Sequence, residues 1–545
     1  MTALRATPGP PHQVAGHRRL TAPDPRRIAP IAIAAAFALA YVIASPASGD
    51  LAAHVFRAHL FKADPFGIWN NYWYDGDHIV GYSLLFPAAA AVLTPQWAAA
   101  IAAVATAALF EPIARRHFGP NGWLGAAAFA AATATNLFTG RLAFAFGLLP
   151  AMAALLALDR DRPWTASAFS LLAALSSPVA ALFVALAGAA HALGTFARTR
   201  RLKPALPGTG VLVAALAPVG VMAVAFPEGG TEPFAFSALW PIPLLAIGVL
   251  CAVPRRATIF RVGVTVYALL TVLSYLIATP LGSNAARLGT LLGAPVAALL
   301  LWPRKRWLLA LAAVPLLYLE WQAPVRDLVI ASGDPTASSG YYQPVLRFLE
   351  RQPGPPFRVE IPFTRFHWEA YAVASRFPSP RGWERQLDIK DNSIFYSGPL
   401  NAATYEAWLH RNAVRFVAAP DAPLDYSAVH EMRLISRGLP YLRLVERTAH
   451  WKVYVVANPT PIAQGVASLS AIGPDSLTLE AARPGRTLLH VHFSPYWTLS
   501  LGSGCVAPAG SFTEVTLRRP GPAQLKISFA VDRIGAQSAR CTSPR

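Results

Sequence analysis

The stretch from Ser48 to Pro87 reads SGDLAAHVFRAHLFKADPFGIWNNYWYDGDHIVGYSLLFP and holds much of the polar chemistry of the first half of the chain. It combines acids, histidines and aromatic residues, whereas the sequence around it consists mostly of Ala, Leu and Val. Ionisable side chains within such apolar surroundings are typically functional. We therefore expect the centre of any active site in this stretch.

Apolar runs lie on both sides of this stretch. Of the 545 residues, 54% are hydrophobic and only 14% are charged, a composition outside the range of soluble proteins. Several runs are shorter than the ~20 residues that cross a bilayer, so flanking residues must extend them. We predict a polytopic α-helical membrane protein with about eleven transmembrane helices. Their apolar runs are Ile28–Ala44, Trp97–Ile113, Trp123–Phe138, Leu142–Leu158, Trp164–Ser176, Val179–Phe196, Val211–Phe226, Leu239–Val253, Val262–Ala278, Leu288–Trp302 and Trp307–Trp321.

The net charge of +19 orients the chain and does not indicate a nucleic-acid partner. Basic residues cluster in alternate gaps between the runs, which is the positive-inside pattern of cytoplasmic loops. These clusters are Arg115-Arg116, Arg198 to Lys203, Arg255-Arg256 and Arg304 to Arg306. Treating Val80 to Leu93 as a re-entrant or interfacial piece keeps all of them cytoplasmic. The prediction is a multi-pass protein of a bacterial plasma membrane, with its N-terminus inside and everything after Trp321 outside.

Composition divides the chain into four parts. Residues 1–27 are predicted to be a disordered cytoplasmic tail, and residues 28–321 a transmembrane domain with a large first external loop, 45–96. Acids such as Glu320 fall in its predicted external loops. Residues 322–460 read as an extracytoplasmic α/β domain, and residues 461–545 as an extracytoplasmic β-sandwich.

The pattern of the last two parts supports that division. Helical stretches near Tyr341–Arg351 and Ala403–Arg411 alternate with strand-like runs from Phe357 and Val414, and a hairpin is predicted around Ala449-His450. Later runs alternate apolar and polar residues between Gly/Pro-rich turns, as sandwich strands do. Cys505 and Cys541 both lie in this exported part, so we predict a disulfide between them.

Asp50 is the first acid after the first apolar run. If the segment from Ser48 is helical, Asp50, His54, Arg57 and Lys62 share a face, because residues three or four apart lie together. Two interpretations stay open. Ser48 or Asp50 caps that helix, or the Asp50 carboxylate, beside His54, accepts a proton from an acceptor hydroxyl while Arg57 holds a phosphate.

The motif WYDGDH offers further candidates. Asp75, Asp77 and His78 could supply a second carboxylate or, with Asp50, a site for a divalent cation such as Mg²⁺ or Mn²⁺, although Asp-Gly is equally a turn signature. Trp73 and its aromatic neighbours suit either sugar stacking or an interfacial belt.

Arg141 and Arg287 stand out because the predicted external loops of the membrane domain hold few basic residues. Each follows a short polar segment between two apolar runs. Two interpretations are balanced: nonspecific contact with the headgroups of membrane lipid, or convergence on a polyprenyl phosphate.

The order of these segments resembles the GT-C superfamily of integral-membrane glycosyltransferases. The resemblance rests on one helix, a loop opening with an acid (GDLAAHVFRAHLF), an aromatic middle (GIWNNYWYDGDHIVGYSLLFP) and an apolar return. It is nearest to the bacterial YfhO-type and 6-pyruvoyl tetrahydropterin synthase-related membrane proteins. The segments GRLAFAFG, SSP, GSNAARL and FSPYWTLS followed by Cys505 are similar to segments of that group, so the likeness covers most of the chain.

The resemblance implies transfer of a sugar from a polyprenyl-phosphate carrier to an extracytoplasmic glycan or protein acceptor of the cell envelope, with Asp50 as base or metal ligand. One departure is that the loop around Thr139–Arg141 lacks the second acid often found in such enzymes, for which Glu228 or Glu232 could substitute. Two other classes stay open. A transporter would place ionisable residues at mid-membrane, and a non-catalytic scaffold for envelope polymer assembly would not need Asp50.

Overall fold

The computed structural model describes residues 24–542, and the first part of this range is helical. Each predicted apolar run lies within or overlaps one of its longer helices. The helices are α1 (Pro25–Ala44), α2 (Leu51–Ala63), α3 (Phe86–Leu93), α4 (Pro95–Phe118), α5 (Trp123–Phe138), α6 (Leu142–Asp159), α7 (Pro163–Ser176), α8 (Pro178–Thr199), α9 (Leu206–Ala225), α10 (Phe236–Leu239), α11 (Pro241–Ala252), α12 (Thr258–Leu276), α13 (Arg287–Leu301) and α14 (Arg306–Ala331).

Eight segments within residues 24–542 are helical, long and apolar enough to cross a membrane. One of them, Pro95–Phe138, contains α4 and α5 with a short 3₁₀ turn between them. The apolar segment Phe236–Ala252 and the 14-residue helix α7 are shorter. The chain is therefore a helical membrane protein, and the number of about eleven crossings stays a prediction.

The membrane helices pack through small side chains. At the crossing of α8 and α9, a β-carbon on Gly188 would lie 2.7 Å from the carbonyl oxygen of Gly208, and one on Gly208 would lie 2.6 Å from that of Gly188. Such close approach of two backbones needs glycine on both sides, as is common between helices in lipid. Gly188 and Gly208 thus set how closely α8 and α9 approach each other.

Both ends of the predicted membrane domain need correction. Of the tail 1–27, residues 1–23 lie outside the described range, but α1 already begins at Pro25, because Asp24 caps it by accepting from the Arg26 amide. At the other end, α14 does not stop at Trp321 but continues to Ala331, so Glu320 is a buried helical residue and not a loop residue. The change in composition at Gln322 does not end the helix, which continues through Pro324 and ends at Ala331, shortly before Gly333.

The first external loop, predicted as 45–96, is itself folded. It contains α2, a two-stranded ribbon of β1 (Trp69–Asn70) and β2 (Asp77–His78), and α3. With eight residues, α3 is about 12 Å long and far too short to span a bilayer core of ~30 Å. This agrees with treating Val80 to Leu93 as a piece that does not cross.

The α/β unit that follows is built on one mixed sheet. Its strands are β3 (Arg358–Glu360), β4 (Val414–Pro420), β5 (Leu442–Arg447) and β6 (Trp451–Val456), in the order β3-β4-β6-β5, with β3 parallel to β4 and the other pairs antiparallel. The predicted hairpin is the β5–β6 pair. Helices flank the sheet: α15 (Ser339–Glu350), α16 (Glu369–Ala372), α17 (Arg385–Asp391), α18 (Ala402–Arg411) and α19 (Val429–Arg437).

The last unit consists of two antiparallel sheets, as the alternating pattern predicts. One has the order β15-β12-β13-β10-β7 and the other β11-β14-β9-β8, and a disulfide joins Cys505 on β12 to Cys541 on β15. Leucines and valines from both sheets form the core between them. The strands are β7 (Ala463–Gly465), β8 (Ala467–Ile472), β9 (Ser476–Ala481), β10 (Gly485–His492), β11 (Trp497–Leu501), β12 (Gly504–Ala509), β13 (Phe512–Leu517), β14 (Gly521–Ile527) and β15 (Arg540–Cys541).

The segment predicted as the first external loop joins both C-terminal units to the membrane helices. Trp69 is buried in the sandwich core, with its ring centroid 5.6 Å from that of Trp497. Trp73 stacks on Phe56 at 4.1 Å and donates from Nε1 to the carbonyl of Ala370 in the α/β unit, at 2.8 Å. The aromatic richness of this loop therefore serves packing between units.

Candidate functional site

Asp50 lies where the connection after α1 enters α2. It occupies the N-cap position, yet its side chain makes no capping hydrogen bond and, within residues 24–542, no ion pair. The other proposed cap, Ser48, is buried with its hydroxyl unpartnered. No capping hydrogen bond therefore accounts for the Asp50 carboxylate, which is half-buried.

The turn between α5 and α6 packs directly on this connection. Gly140 has a φ of +76°, and a β-carbon there would lie 2.7 Å from Ser48 Oγ and 3.1 Å from the Asp50 amide nitrogen. His54 Nε2 donates to the Gly140 carbonyl at 3.1 Å. His54 thus holds this turn in place, and the next residue, Arg141, lies beside Asp50.

Arg141 and Arg287 come together although they are far apart in sequence. Burial, and then the charge of Arg287, lower the pKa of Arg141 to about 10, so it remains protonated at neutral pH. The Arg287 guanidinium lies 5.5 Å from the ring centroid of Phe144. In the described part of the chain neither guanidinium forms an ion pair or a side-chain hydrogen bond. Two adjacent cations without partners favour an anionic ligand.

The environment of Asp50 keeps its carboxylate available as a base. Burial raises its pKa, while Arg287 and Arg141 act in the opposite direction. A carboxylate whose pKa is raised binds a proton more strongly than an exposed one, which improves its ability to take a proton from a hydroxyl. The sequence-predicted Asp50, Arg141 and Arg287 therefore form one cluster, which we call the Asp50 cluster.

Glu232 supplies a second acid to the Asp50 cluster. Its backbone amide donates to the Thr279 carbonyl at 3.0 Å, and its carboxylate accepts from Ser283 Oγ at 3.3 Å. Burial raises the pKa of Glu232, and Arg287 and Arg385 oppose that shift. Of the two acids considered as substitutes for the missing one, Glu232 lies near Asp50, and Glu228 instead contacts His78.

The α/β unit also reaches the Asp50 cluster. A β-carbon on Gly49 would lie 3.8 Å from the ring of Trp383, and the charge of Arg385 acts on both Asp50 and Glu232. Sequence reasoning missed these two residues. Their segment GWER has an aromatic residue beside charged residues at the start of α17, but only the fold shows that it lies near Gly49.

Arg57 and Trp73, both predicted to bind substrate, are used in contacts between units. Arg57 is buried, pairs with Glu384 of the α/β unit, and lies over the Tyr82 ring with its guanidinium 4.2 Å from the centroid. Trp73 is buried against Phe56. Lys62 is exposed in the last turn of α2.

The predicted acids of WYDGDH point into the protein. Asp75 is buried with a carboxylate oxygen 3.1 Å from Arg358 Nε, and burial, despite Arg358, raises the pKa of Asp75 to about 7. Asp77 is buried and accepts from Asn70 Nδ2 at 2.9 Å. Neither acid is brought to Asp50, and their contacts fix the turn of the β1–β2 ribbon.

His78 links three separate segments in a hydrogen-bonded chain. Its Nδ1 lies 2.7 Å from Glu228 Oε1, and its Nε2 lies 3.0 Å from Ser494 Oγ. The order Ser, His, Glu matches a nucleophile, base and orienting acid. Ser494, however, is fully buried, so a substrate cannot reach its hydroxyl. These hydrogen bonds connect the first external loop to the segment after α9 and to the sandwich.

The Asp50 cluster does not fit a divalent cation. Within residues 24–542 no three metal-ligating side chains are grouped together. The charged neighbours that act most strongly on Asp50 are arginines, whereas Mg²⁺ and Mn²⁺ sites gather carboxylates and other oxygen ligands. We therefore derive no step through a metal.

Comparison with protein-family models gives no match, and none of the curated proteins compared with the chain matches it.

Proposed function

We propose that the protein is a membrane glycosyltransferase of GT-C type that transfers a sugar from a polyprenyl-phosphate donor to an extracytoplasmic acceptor of the bacterial cell envelope. The observation that carries this proposal is the Asp50 carboxylate next to Arg141 and Arg287, none of which forms an ion pair within residues 24–542. A base beside an anion-binding pair is the arrangement that such a transfer requires.

In the proposed reaction, an acceptor hydroxyl attacks the anomeric carbon of the donor sugar. The Asp50 carboxylate takes the hydroxyl proton while the new C–O bond forms and the bond from the anomeric carbon to the phosphate oxygen breaks. The departing polyprenyl phosphate carries the electron pair of that bond. Arg141 and Arg287 stabilise its negative charge, since guanidinium groups pair well with phosphate. The proton on Asp50 then leaves to solvent.

The proposed placement in the membrane supports the same chemistry. With the basic clusters in the cytoplasm, the Asp50 cluster and both C-terminal units lie on the outer side. The cluster sits at the ends of the spanning helices α1, α6 and α13. A lipid-borne phosphate at the bilayer surface reaches that level, and a soluble acceptor approaches from the exported units.

The test is sugar transfer from radiolabelled polyprenyl-phosphate sugars by membranes that contain wild type, Asp50→Asn or Asp64→Asn protein. Asp64 is the matched control, an acid of the same loop whose charged neighbours are Asp475 and Lys526 of the sandwich. We expect loss of transfer only in Asp50→Asn. Full transfer by that variant would rule out Asp50 as the base. Absence of transfer in wild type with all donors tried would favour the scaffold or transporter class.

A further inference from the structure

Tyr426 is an exposed aromatic residue in a polar setting. It lies in the short turn before α19, and 64% of the residue is exposed. The guanidinium carbon of Arg385 lies 4.9 Å from its ring centroid. Trp383 and Tyr396 flank the same guanidinium at 5.5 and 5.9 Å. One cation is thus surrounded by three aromatic rings, of which Tyr426 faces solvent.

Arg385 is held rigidly in this group. It donates to both carboxylate oxygens of Asp425, at 3.0 and 2.8 Å. Asp425 in turn accepts from the amide and hydroxyl of Ser427, at 2.9 and 2.7 Å. Burial opposes ionisation of Asp425, but His367 and Arg385 outweigh it and hold the pKa of Asp425 well below its usual range. A bidentate, fully ionised pair of this kind fixes the orientation of the Arg385 guanidinium between the aromatic rings.

This group lies next to the Asp50 cluster. Glu232 is among the charged groups that act on Tyr426, and Arg385 is among those that act on Asp50. A β-carbon on Gly49, one residue before Asp50, would lie 3.8 Å from the Trp383 ring. A molecule resting on Tyr426 would therefore extend toward the proposed base from the side of the α/β unit.

We propose that Tyr426, with the Trp383–Arg385 segment, binds a sugar ring of an acceptor glycan; as a reaction subsite, this rests on the proposed function. A sugar ring presents a face of C–H groups that packs on an aromatic ring, and a rim of hydroxyls that bonds to charged groups. The Tyr426 ring would pack on the C–H face of the sugar, and Arg385 and Glu232 would form hydrogen bonds with its hydroxyls. Asp425 and Ser283 hold these two charged groups in place, and each group keeps further hydrogen-bonding positions that sugar hydroxyls would use.

Binding is tested on detergent-purified full-length protein with soluble hexasaccharides of glucose, mannose, galactose and arabinose. We expect at least one to bind, with about 10-fold weaker binding by Tyr426→Ala, the loss expected for one aromatic contact. Tyr426→Phe keeps the ring and should bind as wild type does. Leu444→Ala changes another exposed residue of the same unit and is the surface control. No binding of any hexasaccharide, or equal binding by Tyr426→Ala, would overturn the proposal.

Transfer kinetics separate the acceptor from the donor sugar. The proposal expects Tyr426→Ala to raise KM for the acceptor and to leave KM for the polyprenyl-phosphate donor unchanged. A rise in the donor KM alone would overturn it. Asp50→Asn should still bind the hexasaccharide. Hexasaccharide binding without any transfer by wild type would support the sugar site and count against the proposed function, so the two proposals can fail separately.

Discussion

The Asp50 cluster and the ionic core of the α/β unit use the same residue types in opposite ways. In that core, Arg381 is fully buried, with Asp388 at 2.6 Å, Glu431 at 3.5 Å and Glu360 at 3.9 Å. In the Asp50 cluster, the arginines are half-buried and have no such partners among residues 24–542. A buried charge surrounded by opposite charges holds the surrounding segments in one arrangement, because losing a partner leaves a buried charge uncompensated. Charges at a half-exposed position without such partners are instead available to a ligand. The comparison therefore supports the proposal that the ionic core is structural and that the Asp50 cluster takes part in chemistry.

The largest effect that tests this contrast is loss of transfer in Asp50→Asn. A positioned base contributes roughly 10²–10⁴-fold to such a step, and asparagine keeps the size of the side chain while removing its charge. Because Asp50 makes no capping hydrogen bond, the temperature of unfolding should stay that of wild type. The measurements are transfer rate and thermal unfolding of the purified variant. An unchanged rate combined with a lower unfolding temperature would reverse the assignment of Asp50 to chemistry.

The opposite result is expected for the ionic core. Arg381→Met should destabilise the α/β unit by about 3–5 kcal/mol, because it leaves three buried carboxyl groups without their cation. Thermal or denaturant unfolding measures this loss. The control is Arg376→Met, which removes an exposed ion pair with Glu350 and should cost at most about 1 kcal/mol. Equal stability of the two variants would show that the buried network is not structural.

The sequence predicts much of this contrast but not all of it. Hydropathy locates the helices, and alternation locates the sandwich, because these patterns reflect local burial. Asp50, Arg141 and Arg287 could be singled out because charged residues are scarce in their surroundings. That Arg57 and Asp75 would be buried in ion pairs was not predictable, since Glu384 and Arg358 lie some 300 residues later in the chain. Trp383 was missed for the same reason: its position near Gly49 depends on how the α/β unit packs on the first loop.

A third prediction concerns the pH dependence of transfer. Burial raises the pKa of Asp50, and Arg287 partly offsets this rise. The base works only when ionised, so transfer falls as the pH drops through that pKa. Arg287→Gln removes the offset, raises the pKa of Asp50 further and should move the acidic limb of the profile to higher pH. The absolute transfer rate of Arg287→Gln also falls if Arg287 binds the donor phosphate. The midpoint of the acidic limb does not depend on that rate, so it reports the pKa shift alone.

The matched control for this profile is Lys62→Gln. Lys62 is an exposed cation at the end of α2 and is not among the charged groups that act most strongly on Asp50. The acidic limb of the Lys62→Gln pH profile should coincide with that of wild type. A limb that stays in place in Arg287→Gln would mean that another group controls the pH dependence, and Glu232 would become the candidate base.

The smallest effect is expected at Ser494, where the hydrogen-bonded chain through His78 resembles a catalytic triad in order only. Ser494→Ala removes one buried hydroxyl that bonds to His78 Nε2 and should cost about 0.5–1.5 kcal/mol of stability. Transfer should be unchanged, because a fully buried hydroxyl cannot meet a substrate. The transfer rate and the unfolding temperature, measured on the same preparation, check both parts. A fall in transfer of 10-fold or more without loss of stability would show that the hydrogen bonds of Ser494, His78 and Glu228 open during the reaction. These residues would then take part in the chemistry, and their assignment to structure would be wrong.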